Sequence, residues 1–164
     1  MSSSDISVDG AGLDEGSISS LIPTVSKAHR KLAGSLLADL GLAAGQQFAL
    51  MLLWKASPQS QSDLTKQLMI EPPTAAKMLA RLETAGFIER ERSAADRRVV
   101  LVSPTEAGRA LEGPVTSIWH RLEKQTTRDL TPAEQDQLRH LLARVAQSLT
   151  AETDAIPHGT EHLT

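Results

Sequence analysis

The 164-residue chain has no cysteine and no tyrosine, and only two tryptophans and two phenylalanines. Lack of cysteine excludes a disulfide scaffold, a thiolate zinc site and thiol redox sensing. So few aromatic rings argue against stacking of single-stranded bases as a mode of action. There is also no apolar run of about eighteen residues and no basic-then-apolar amino terminus, so neither a membrane span nor a signal peptide is expected. The expectation is a cytoplasmic protein without a membrane partner. His29, His120, His140, His158 and His162 do not fall at ligand spacing, and no metal or cofactor is expected. No nucleophile elbow, phosphate loop or paired-carboxylate signature is present, which argues against an enzyme.

What is present is a core's worth of apolar residues, 40% of the chain, enough for one domain or two small lobes. The net charge of −3 conceals a division. Asp5, Asp9, Asp14 and Glu15 near the start, and Glu152, Asp154 and Glu161 near the end, belong to segments without Lys or Arg. Setting those seven aside leaves 13 acids against 17 bases between Val25 and Thr150. The middle is mildly basic, and it is the local field that meets phosphates.

Residues 1–16, rich in Ser, Gly and Asp, read as a disordered acidic arm. From Ser17, apolar residues Ile18, Leu21, Ile22, Val25, Leu32, Leu36 and Leu40 recur at helical steps up to Gly41, with Pro23 tolerable near the first turn. Ala44 to Lys55 reads as a second helix, apolar on more than one face and therefore expected between other elements. Ser60 caps a third, with Asp63 as the imperfect return partner of a capping box. Pro72-Pro73 fits only the first turn of a fourth helix, which Gly86 terminates after Ala85. Ala75, Met78, Leu79 and Leu82 form its inner side, leaving Pro73, Ala76, Lys77, Ala80 and Arg81 outside. Residues 87–92 and 98–102 are β-prone arms of a hairpin whose tip carries Arg92, Asp96, Arg97 and Arg98. Thr105 caps a fifth helix with Leu111, Val115, Ile118 and Leu122 inward, which Gly113-Pro114 should kink or break. Thr131-Pro132-Ala133-Glu134 opens the last, striped by Leu138, Leu141, Leu142, Val145 and Leu149. Residues 150–164 read as a disordered acidic tail.

The run Leu82-Glu83-x-x-Gly86-Phe87-Ile88-x-Arg90, then Asp96-x-Arg98 and Thr105-x-x-Gly108, resembles the signature of the multiple antibiotic resistance regulator (MarR) family. The order of six helices with a hairpin between fourth and fifth is similar too, over roughly Ser17 to Leu149. The resemblance implies a mainly α fold with a small β-hairpin wing, a winged helix-turn-helix in a six-helix dimer. It divides the chain into a helical dimerisation region, 17–41 and 105–149, and a DNA-binding domain, 42–104. It implies a homodimeric regulator, expected to be a repressor, on a palindromic operator of double-stranded DNA, released by a small phenolic or other lipophilic acid. Two departures stand out: Pro104-Thr105 replaces Leu-Thr and is expected to shorten the second wing strand, and Gly113-Pro114 interrupts a helix the family keeps long.

Phosphate contacts place a protein on the duplex, and base contacts specify the sequence. Pro72, Pro73 and Glu71 make the start of the fourth helix a poor phosphate anchor, so Ser60, Gln61, Ser62 and the hairpin arginines Arg90, Arg92, Arg97 and Arg98 are expected to supply the grip. Pro73, Thr74, Ala76, Lys77 and Arg81 form the reading face, the last two as donors and Thr74 and Ala76 against thymine methyls. Asp96 reads either as the partner of Arg98 or Arg92 or as an ordinary turn residue. Trp54 and Trp119 with His29 and Arg30 could line an effector cavity, because a cationic rim over apolar walls suits an aromatic or lipophilic acid. The two tryptophans could equally fill the core or a dimer seam. The alternative to a DNA-binding regulator is a winged-helix module for protein–protein assembly.

Overall fold

The computed structural model describes residues 16–155. The acidic arm, apart from Gly16, and the last nine residues of the expected tail lie outside that range. The elements run α1 (Ile18–Leu37), a 3-10 turn (Ala38–Leu40), α2 (Gln46–Lys55), β1 (Gln59–Ser60), α3 (Gln61–Leu68), α4 (Pro72–Thr84), β2 (Ile88–Arg92), β3 (Val100–Pro104), α5 (Glu106–Ala110), α6 (Glu112–Thr126) and α7 (Pro132–Ala155). The chain separates into two compact units, meeting in sequence at Leu122 and Glu123.

In the first unit, Leu37, Leu42, Leu50, Leu53, Leu64, Leu79, Leu82, Ile88, Val102 and Val115 form one buried cluster. Residues of α1, α2, α3, α4, β2, β3 and α6 contribute to it. Buried Ala75, Leu79 and Leu82 confirm the inner side expected for α4, with Met78 packed against the same cluster. The α1 periodicity has a different outcome. Only Ala33 and Leu37 of α1 are buried, whereas Ile18, Leu21, Ile22 and Val25 are 68, 50, 40 and 60% exposed. Its amino-terminal half therefore presents an apolar face that no described residue of its own unit covers.

Prolines at three places act differently from one another. Pro23 lies inside α1 beyond its first turn, further in than proline is normally tolerated, and the helix nonetheless continues. The fifth expected helix is two segments. It breaks at Leu111, whose N–H donates to Gly108 O (3.3 Å) while its carbonyl accepts from Val115 N (2.9 Å). That break places Gly113 and Pro114 in the first turn of α6, where a missing N–H leaves no helical bond unmade. Pro104 does not shorten the second wing strand, since β3 runs through it opposite Ile88. Thr105 N donates to Phe87 O (3.1 Å) and Ser93 N to Val99 O (2.9 Å) at the two ends of the ladder. The alternation of bonded pairs puts Pro104 at a non-hydrogen-bonded position, where no donor is required.

The hairpin belongs to a three-stranded antiparallel sheet of order β1-β3-β2, with Gln59 opposite Val102 and Ser60 opposite Leu101. Two residues give no period, so β1 carries no signal in the sequence. The start of α2 moves from Ala44 to Gln46, with Gln46 Oε1 accepting from Ala43 N (2.8 Å) and Gln47 Oε1 from Gly45 N (2.7 Å). Glutamine side chains take the place of a Ser or Thr cap. One side of α2 is buried through Ala49, Leu50 and Leu53, and Phe48 and Met51 are exposed on the other, so it is not enclosed all round.

The second unit holds the end of α6 and α7. Thr131 and Glu134 form the expected reciprocal box: Glu134 Oε2 accepts from Thr131 N (2.7 Å) and Oγ1 (2.7 Å), and Thr131 Oγ1 accepts from Glu134 N (3.3 Å). The helix continues to Ala155, into the stretch read as tail. Leu138, Leu141, Leu142 and Leu149 are 38 to 56% exposed, so its apolar stripe also lacks a covering partner among the described residues of the unit. No described helix is long and apolar enough to cross a membrane.

Candidate nucleic-acid interface

The helix-turn-helix is α3, the turn Met69–Glu71, and α4. Ser60 begins it: its hydroxyl accepts from Asp63 N (3.0 Å) and donates to Asp63 Oδ2 (2.7 Å), so the shorter Asp closes the box on the hydroxyl rather than on the backbone. Met69 then takes the left-handed conformation at φ 51°, uncommon for a side-chain-bearing residue and suited to reversing the chain after a short helix. α4 starts at Pro72 with Glu71 before it, and no side chain caps the start. Pro73, Thr74, Lys77 and Arg81 are exposed on the outer face and Ala76 is half-buried. Lys77 and Arg81 form no ion pair with any described residue.

At the wing tip Ser93 Oγ accepts from Ala95 N (3.2 Å) and Asp96 N (3.4 Å), and Asp96 O accepts from Val99 N (2.9 Å). Asp96 Oδ1 accepts from Arg98 N (3.0 Å) and Nε (3.4 Å). Asp96 is thus both a turn residue and the partner of Arg98, and the Arg98 side chain remains 93% exposed. Arg92 is exposed, its Nη1 donating to Arg97 O (2.7 Å). The Arg97 side chain is exposed.

Arg90 differs from the other arginines. It is only 25% exposed and its guanidinium donates to Glu83 Oε2 from Nε (3.1 Å) and Nη2 (2.6 Å). Its Nη1 also approaches Gln61 Oε1 at 3.5 Å. The Arg90 hydrogen bonds hold the Glu83 carboxyl below the usual carboxylate range. The candidate contacts Ser60, Gln61 and Arg90 are therefore all engaged within the protein, whereas Ser62 is exposed.

The wing root is locked to α5 by residues of the sequence signature. Thr105 Oγ1 donates to Gly86 O (2.6 Å) and accepts from Gly108 N (3.1 Å). Gly86, at φ 79°, makes the turn into β2. A Cβ on Gly108 would lie 1.9 Å from Phe87 O, so only glycine lets α5 approach that backbone. Trp54 Nε1 donates to Gly108 O (3.0 Å), tying α2 to the same point. Trp54 and Trp119 also line one cavity of about 260 Å³ with Met51, Lys55, Glu112, Val115 and Thr116. His29 lies edge-on to Trp119, ring centroids 6.4 Å apart. Neither His29 nor exposed Arg30 lines the cavity, and Lys55 supplies the cation there. At the end of a helix a lysine's charge reads as ordinary compensation of the C-terminus, so the sequence gives no signal that sets Lys55 apart.

The family model for the MarR family matches residues 42–100. The chain is 35% identical over 115 residues to the organic hydroperoxide resistance transcriptional regulator of Bacillus subtilis (strain 168), covering 67% of this chain and 77% of that protein. Among solved structures it resembles a mutant MarR from E. coli complexed with operator DNA, at 29% identity and TM-score 0.73, over 78% of this chain and 92% of that one. It is also similar to BpsR of Bordetella bronchiseptica, whose DNA binding is regulated by 6-hydroxynicotinic acid, at 26% identity and TM-score 0.72, over 79% and 98% of the two chains.

Proposed function

Since the chain belongs to the MarR family of winged-helix transcriptional regulators, we propose that it acts as a homodimeric repressor on a palindromic operator and leaves it when a small aromatic or lipophilic acid binds. What carries the DNA reading is the outer face of α4, where Lys77 and Arg81 stand exposed, without an ion pair among the described residues, over a buried row of Ala75, Leu79 and Leu82. A face so supported can enter a major groove as a rigid edge, its two cations donating to base acceptors. Thr74 and Ala76 offer methyl contacts beside them. Ser62 and the wing supply phosphate contacts, and Arg98, oriented by Asp96 yet exposed, enters the narrow minor groove of an A·T-rich flank. The uncapped Glu71-Pro72-Pro73 start explains why the grip falls to those residues.

Homodimerisation is supported by the two uncovered apolar faces, one on α1 and one on α7. The dimerisation region is then 17–41 with 105–149, extended by the rest of α7, and residues 42–104 bind DNA. For release, the cavity walled by Trp54 and Trp119, with Lys55 beside them, suits a ring bearing a carboxylate. The BpsR resemblance, with its aromatic acid, favours the same ligand class. The Bacillus relative is named for organic hydroperoxide resistance, but a chain without cysteine has no thiol to register an oxidant. Reversible ligand binding is therefore the better reading.

Selection of bound sites from a random duplex pool tests this function. The expected product is a palindrome with half-sites about one helical turn apart, about 34–36 Å. Affinity should fall with salt at a slope of about −0.9 per neutralised phosphate. A purified protein that prefers no sequence over random duplex would overturn the regulator reading and leave protein–protein assembly in its place.

A further inference from the structure

One guanidinium at the root of the wing reaches all three DNA-facing elements. Arg90 lies on β2, Glu83 is near the end of α4, and Gln61 opens α3; the contacts run 2.6 and 3.1 Å to Glu83 Oε2 and 3.5 Å to Gln61 Oε1. The planar fork of arginine can hold a carboxylate from two nitrogens and reach a second acceptor from a third, a fixed spread of donors that lysine's single nitrogen does not have. With its carbonyl oxygen engaged, Gln61 keeps both amide N–H donors free. The four other arginines of the reading helix and wing, Arg81, Arg92, Arg97 and Arg98, are exposed.

We propose that Arg90 is a positioning residue and not a DNA contact: through Glu83 and Gln61 it sets the angle of the wing to the reading helix and turns the Gln61 amide toward the phosphates. The inference rests on the DNA-binding reading above. It separates from a direct contact because the two roles give Glu83 opposite effects. If Arg90 touched phosphate, removing Glu83 would delete a nearby negative charge, free the arginine and leave binding equal or tighter. If Arg90 positions the wing, removing Glu83 releases the clamp and weakens binding despite the favourable change in charge.

The test measures affinity of Glu83→Ala, Arg90→Gln and the exchange Glu83→Arg with Arg90→Glu for the duplex that the unaltered protein selects, across a salt series. Positioning predicts about tenfold weaker binding for each single variant and recovery of most of it in the exchange. It also predicts a salt slope for Arg90→Gln equal to that of the unaltered protein. A slope shallower by about 0.9, or Glu83→Ala binding as tightly as the unaltered protein, overturns it. Should Glu83→Ala fail to fold, the Arg90→Gln slope decides alone. Absence of any selected duplex for the unaltered protein would instead remove the regulator reading, and the clamp with it.

Discussion

Asp96 places an acid among the exposed arginines of the wing tip, and a single oxygen explains its presence. Oδ1 accepts both the backbone and the side chain of Arg98, so the turn and the orientation of the arginine are fixed together. The pair is exposed, so its intrinsic worth is about 0–1 kcal/mol and the fold does not depend on it. Asp96→Ala should therefore weaken operator binding several-fold, read by anisotropy of a labelled duplex, with no loss of thermal stability. Unchanged affinity would remove the pairing role. Arg98→Ala should do more: besides weakening binding it should make the salt slope shallower by about 0.9. Gly108 acts on stability instead. Alanine there would drive its Cβ into Phe87 O, and displacing backbone at the wing root should destabilise the chain by about 1–3 kcal/mol, measured by urea unfolding.

At the scale of elements, the helix starts are where composition speaks most clearly. The Thr131–Glu134 box opens α7 as its residues require, and the Thr131 hydroxyl and N–H hold the Glu134 carboxyl below the usual carboxylate range. A carboxyl with a lowered folded pKa contributes stability that is present above its unfolded value and lost as pH falls through the folded one. The α7 cap should thus be complete at neutral pH and open only in acid below the ordinary glutamate range. Glu134→Gln should abolish that dependence in a helix-content titration; persistence of the same titration would assign it to another group. The capping boxes and Pro72-Pro73 were legible because each depends on residues within four positions, and the β arms because their β-prone residues are consecutive. The strand β1 and the pairing of Arg90 were not, and the break announced by Gly113-Pro114 falls two residues earlier than those residues, at Leu111. A two-residue strand exists only through its pairing with Val102 and Leu101, and the partners of Arg90 lie 7 and 29 residues away. Apolar period located the stripes of α1 and α7, but period alone does not say whether the chain itself or a second copy covers them.

For the molecule as a whole, the acidic ends and the basic middle acquire a use if two copies meet. Non-specific attraction comes from the region between Val25 and Thr150, where bases exceed acids, while acids near both ends hold the overall charge negative and limit unselective binding. Specific affinity has a further requirement. One reading helix with two cations offers few base contacts, and doubling it across a palindrome multiplies the recognition without new residues. The exposed faces of α1 and α7 are the surfaces that can bring this about. Placing a charge in either, Leu21→Glu or Leu142→Glu, buries an unpaired carboxylate if the face is a dimer seam, a cost of several kcal/mol. If the face is merely solvent-exposed, the same change costs almost nothing. Sedimentation should accordingly find the unaltered protein dimeric and each variant shifted to monomer. Each monomer should keep the helical signal of the DNA-binding region and lose at least a hundredfold in affinity for the full palindrome, roughly 2.8 kcal/mol, while its affinity for an isolated half-site stays near that of a single reading head. A Leu21→Glu or Leu142→Glu protein that remains a dimer with undiminished operator affinity would mean that the corresponding face serves some other purpose.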